Sequence, residues 1–159
     1  MKTLIYAAAF TLAIASSVPA LAGGALRDAK APHLVHSGAH PNNARVSSAT
    51  HHFEVHVQGR DLSQLFVDVP EGIKVSDRIV VTDNSGKKID TTVSVNDRRV
   101  TIAFSQPVPT GTTLSVSMKG VRTPFSLWSR TLLYPITGRS VGMTVDVPFG
   151  MARIQTYDD

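Results

Sequence analysis

Apolar and polar residues alternate in short runs along most of this chain, and turn residues separate the runs. In His52-Phe53-Glu54-Val55-His56-Val57 every second residue is apolar, which places Phe53, Val55 and Val57 on one face of a strand. Residues 65–69 form a further run, stopped by Pro70-Glu71-Gly72. Residues 75–82 end at Asp83-Asn84-Ser85-Gly86, where Asn and Gly tolerate the positive φ of a reversal. Runs 88–95 and 99–104 flank Asn96-Asp97 and read as a hairpin. Its arms set Val93 and Val95 against Val100, Ile102 and Phe104, and the last four of these are expected in the core. Leu114, Val116 and Met118 alternate again. Seven to eight such strands, with a turn signal about every ten residues, predict an all-β domain: a single antiparallel sandwich of immunoglobulin-like type.

The alternation lapses in three places. Residues 23–49 mix Gly, Ala, Pro, Asn and Ser without a period and read as an extended, loosely packed lead-in to a sandwich domain over 50–159. From Gly120 a looser loop precedes two last strand-like runs. The first carries Met143, Val145 and Val147; the second covers 151–157, after Pro148-Phe149-Gly150. Residues 1–22 are of another kind: Lys2 near the start, a short apolar stretch, and Ala20-Leu21-Ala22 as a cleavage motif. This is the pattern of a secretory signal peptide, and it predicts a periplasmic or extracellular protein. The apolar stretch falls short of the about 20 residues that span a bilayer, and no later stretch approaches that length.

Composition narrows the chemistry. The 159 residues suit one ordinary domain, and the absence of cysteine excludes thiol catalysis, cysteine-held metal clusters and disulfides. A formal charge of +4, with charged residues at 18%, lacks the concentrated positive stripe of a nucleic-acid binder. No Gly-x-Ser-x-Gly elbow, His-Glu-x-x-His motif or phosphate-cradling loop is present, and the Ser, His and Asp residues show no spacing that singles out a triad. No enzyme activity and no cofactor are expected.

Several segments together carry a resemblance. They are the histidine-containing lead-in, the Pro-Glu-Gly turn, the stretch Phe104-Ser105-Gln106-Pro107-Val108-Pro109-Thr110-Gly111-Thr112-Thr113-Leu114, then Gly120-Val121-Arg122 and Leu133-Tyr134-Pro135. In these the chain resembles the domain-of-unknown-function family 2808, small exported proteins found largely in cyanobacteria. The resemblance implies export and an all-β fold, and no reaction. Residues 80–88 and 100–108 are also similar to the sheet core of periplasmic copper-resistance proteins. The copper ligands of those proteins do not carry over, because the expected mature chain begins at Gly23 and no histidine follows His56.

Two clusters stand out as candidate sites. All six histidines fall between His33 and His56, and imidazole suits Cu, Ni and Zn. His52, Glu54 and His56 share one strand face, but four residues of strand span roughly 13 Å. A single ion therefore needs a further segment, which His33 and His36 are able to supply. The cluster reads either as solvated polar side chains or as a transition-metal site of His33, His36, His52, Glu54 and His56. The second cluster is Arg122, Phe125, Trp128 and Arg130. Interleaved aromatic and guanidinium groups stack on sugars and pair with acidic groups, although Trp128 also reads as a plug for one end of the sandwich. The sequence thus predicts a non-enzymatic binding or structural module of the periplasm or envelope, with an acidic polysaccharide or a protein as partner. The alternative is a periplasmic copper, nickel or zinc binder.

Overall fold

In the computed structural model, which describes residues 30–124 and 131–157, the alternating runs become nine strands and no helix. They are β1 (His33–His40), β2 (Ser48–His56), β3 (Leu62–Asp68), β4 (Ile79–Thr82), β5 (Thr91–Asn96), β6 (Arg99–Val108), β7 (Thr113–Arg122), β8 (Thr131–Ser140) and β9 (Val147–Gln155). Two antiparallel sheets stack face to face: a four-stranded sheet in the order β1-β2-β7-β4 and a five-stranded sheet in the order β5-β6-β3-β8-β9. The all-β sandwich is therefore the observed fold. No helix among the described residues is long and apolar enough to cross a membrane.

The core lies where the alternation puts it. Phe53, Val55 and Val57 are fully buried and meet Leu114, Val116 and Met118 from β7 and Val100 and Ile102 from β6 in one apolar cluster. The hairpin forms in the expected register, with Val93 opposite Ile102 and Val95 opposite Val100. Val93 and Val95 are only half-buried, because β5 is the edge of its sheet.

Three stretches differ from the sequence reading. The lead-in is no loose segment beyond His33: β1 pairs along β2, from His33 opposite His56 to His40 opposite Thr50. Its apolar signal is faint because an edge strand buries little, and only Leu34 and Ala39 pack on the core. The loop expected after Gly120 contains β8, whose Leu132, Tyr134 and Ile136 are buried. Pro135 disguises this strand, yet it lies one position past Ile136, where the pairing with β3 ends, and so takes no bond from that ladder. Conversely, the strand expected over Met143, Val145 and Val147 is a turn, with Val145 65% exposed, and β9 begins only at Val147.

Both open sides of the sandwich are tied. On one side β1 runs parallel to β9 across the gap between the sheets. Ser37 Oγ donates to the Arg153 carbonyl (2.8 Å) and accepts from the Arg153 amide (3.1 Å). Beyond β1, Ala44 N donates to Tyr157 O (2.7 Å) and Tyr157 N to Asn42 O (2.8 Å). On the other side, residues 88–90 cross between the sheets: Ile89 N donates to Val81 O (2.9 Å), and Asp90 O accepts from Ser105 N (3.1 Å).

Candidate functional site

At one end of the four-stranded sheet, the segment before β4 lies against the end of β7. Lys74 and Arg122 exchange backbone hydrogen bonds (3.0 and 2.9 Å), and Arg78 O accepts from Lys119 N (3.0 Å). This pairing aligns the exposed side chains of Lys74, Arg78 and Arg122 along one open groove of about 570 Å³. Ser47, Ser48 and Thr123 add hydroxyls, and no carboxylate lines it. Among the described residues none of the three cations has a carboxylate within ion-pair distance. Gly120 makes the close approach possible. Its φ of +68° suits glycine, and a Cβ there would collide with the Arg78 guanidinium. Such a groove attracts anions, and its hydroxyls donate to sugar or carboxylate oxygens.

Of the second cluster read from the sequence, only Arg122 falls within this description; Phe125, Trp128 and Arg130 lie outside the described residues. Lys74 and Arg78 were not singled out, because nothing in the linear order relates them to Arg122; the bridge between Lys74 and Arg122 does so in space. Arg139 is committed elsewhere. With Arg99 it holds Asp146 (2.7 and 3.0 Å), and both guanidinium groups cover the outward-facing Phe66 ring at 5.3 and 4.6 Å. A further groove of about 440 Å³ is lined by Asp83, Asp90, Lys87 and Lys88, so its charges cancel.

The histidines divide by strand face. His52, Glu54 and His56 alternate with the buried positions of β2 and face outward, and β1 brings His33 and His36 beside them. Two ring pairs result: His33 with His56, centroids 5.5 Å apart, and His36 with His52, 5.6 Å apart. Hydrogen bonding separates the pairs. Gln58 donates its amide to His56 Nε2 (2.7 Å), His56 Nδ1 donates to Thr113 Oγ1 (3.0 Å), and His33 Nδ1 bonds Ala31 O (3.0 Å). The ring nitrogens of His36 and His52 make no such bond among the described residues. Partial burial holds the pKa of His52 below the usual histidine value; His36 and His40 act in the same direction and Glu54 opposes them. Among the described residues no three His, Asp or Glu side chains converge as a ready-made metal cage.

The sixth histidine points inward. His51 is fully buried, and its Nδ1 shares a 2.7 Å hydrogen bond with the Tyr134 hydroxyl of the opposite sheet. Burial, with a smaller contribution from His52, lowers its pKa to about 4, and burial raises that of Tyr134. His51 borders a small recess of about 10 Å³, lined also by Ala49, Leu132 and Thr156 and too small for a ligand, so the pair reads as a structural bolt between the sheets.

Comparison with known proteins returns a family and a fold. A family model described as "Protein of unknown function (DUF2808)" matches residues 25–126. The match takes in the Pro-Val-Pro-x-Gly-Thr-Thr stretch and stops short of Leu133-Tyr134-Pro135. No curated protein shows significant similarity. Among solved structures, the N-terminal domain of the Streptococcus gordonii adhesin Sgo0707 aligns with a TM-score of 0.54 and 13% identity, covering 79% of this chain and 32% of that one. BcpA, the major pilin subunit of Bacillus cereus, aligns with a TM-score of 0.51 and 9% identity, covering 79% and 40%. This chain thus spans less than half the length of either. At these identities the likeness is one of fold.

Proposed function

We propose that this chain, which belongs to the DUF2808 family of proteins of unknown function, is an exported, non-enzymatic binding module of the cell envelope. Its ligand is an acidic polymer, of the polyuronate type, held in the groove of Lys74, Arg78 and Arg122. One observation carries this reading: three exposed cations with no carboxylate partner among the described residues line a single groove that contains hydroxyls and no acid. A sandwich fold shared with a streptococcal adhesin domain and a pilin subunit supports work at the cell surface. Residues 1–22, read as a signal peptide, supply the route there. Phe125, Trp128 and Arg130 follow the groove directly in sequence, and we assign them to the same contact, with the aromatic rings stacking on sugar faces.

Retention on an immobilised polyuronate, with neutral dextran as the control matrix, tests this. The wild-type protein is expected to be retained on the acidic matrix alone and released by salt, since exposed charges are screened within about 10 Å at 0.1 M ionic strength. The double variant Lys74→Glu/Arg122→Glu should lose retention by about tenfold or more, because like charges then face the ligand. Trp128→Ala should weaken retention while leaving the melting temperature in place. Retention that survives charge reversal, or that ignores salt, would remove the groove from the contact.

A further inference from the structure

We propose that His36 and His52 form a bis-imidazole site for Cu(II) on the outer face of the β1–β2 ribbon, with Glu54 and His40 beside them and water completing the coordination. The site is separate from the basic groove and does not depend on it.

Register creates it. Antiparallel pairing sets Gly38 opposite His52 and His36 opposite Glu54, so the two imidazoles lie diagonally on one face with their centroids 5.6 Å apart. Both rings border the space above Gly38. A Cβ added there would lie 3.2 Å from His52 Nε2 and 3.9 Å from His36 Nε2. The backbone gives no reason for glycine at this position, since Gly38 is not among the residues of positive φ, and glycine weakens a strand. Its consequence is that the His52 ring lies close over Gly38, its Cε1 3.1 Å from where a Cβ would stand, with the unengaged nitrogens of His52 and His36 near the same point. The neighbouring pair differs on this point, because both nitrogens of His56 are occupied by Gln58 and Thr113. His36 is exposed and free to turn toward a shared ion, while His52 is half-buried and held by the sheet.

The donor set selects the metal. Structural zinc sites use four protein ligands and catalytic ones three, whereas among the described residues no three such side chains converge. Two imidazoles with water in the remaining positions suit the tetragonal N and O preference of Cu(II), which also heads the affinity order of the divalent first-row metals.

Calorimetric titration of the tag-free protein with CuCl₂, followed by electron paramagnetic resonance of the loaded protein, tests the site. The expected result is one tight equivalent with hyperfine coupling to two imidazole nitrogens, and weaker binding of Ni(II) and Zn(II). His36→Ala and His52→Ala should each lower Cu(II) affinity by at least about tenfold, since loss of a mere outer-shell partner already costs 10–100-fold. His33→Ala and His56→Ala should change it little. Gly38→Val retains both ligands but crowds the His52 ring out of its place beside His36, so it should weaken binding while the protein still melts cooperatively. Wild-type affinity in His36→Ala, His52→Ala or Gly38→Val would overturn the proposal. So would a loss of affinity that follows His33→Ala instead.

Discussion

A histidine's neighbours in space decide its chemistry more than its neighbours in sequence. His51 and His52 are adjacent, yet one is sealed between the sheets and the other lies on the outer face. The period of two that places Phe53 and Val55 inward carries His51 inward as well, which corrects the reading of the whole histidine cluster as solvated side chains. Its partner Tyr134 was not legible in the sequence, because that residue belongs to a strand that the pattern concealed. With a folded-state pKa near 4 against an unfolded value near 6.5, His51 stays neutral when folded and takes up its proton when unfolded. Its contribution is complete above pH 6.5 and is lost as pH falls from 6.5 to 4, by up to about 3 kcal/mol at 1.36 kcal/mol per pH unit. Denaturant midpoints should fall over that window. His51→Gln keeps a side chain able to bond the Tyr134 hydroxyl without titrating, so it should flatten the profile. An unchanged slope in that variant would move the acid sensitivity to another group.

Strands were legible in proportion to how local and how buried they are. The β5–β6 hairpin has two apolar arms and a turn within one short segment, so its register followed from the sequence. β1 stayed hidden because it is an edge strand with few buried residues, and β8 because Pro135 and Gly138 interrupt it. Gly138 has its own reason to be there. A Cβ at this position would collide with the Phe149 ring of β9 and lie 3.0 Å from Leu62. Phe149 thus fills the place of the missing side chain on the neighbouring strand. Gly138→Ala should destabilise by about 1–3 kcal/mol through overpacking, read as a lower urea midpoint with an unchanged slope. The basic groove was half legible: Arg122 stood out, but the backbone pairing that brings Lys74 and Arg78 to it is a long-range contact that no local pattern announces.

At the scale of the whole molecule, two sheets that share only side-chain contacts in the core are also joined along their sides. The β1–β9 side depends on Ser37, whose hydroxyl serves both the carbonyl and the amide of Arg153. Ser37→Ala should cost about 1–2 kcal/mol for two hydrogen bonds of ordinary strength. It should also speed amide exchange at Arg153 while leaving exchange at the core strands unchanged. The same seam fixes how the domain answers a mechanical load. Leu34 against Gly150, Ser37 against Arg153 and residues 42–44 against Tyr157 are successive points along two parallel strands. The outer ends of β1 and β9 therefore leave the seam in opposite directions. Tension applied to those two ends runs along both strands in shear, so these contacts share it and must break together rather than peel one at a time. A domain anchored at one end and pulled at the other would hold longest in that direction.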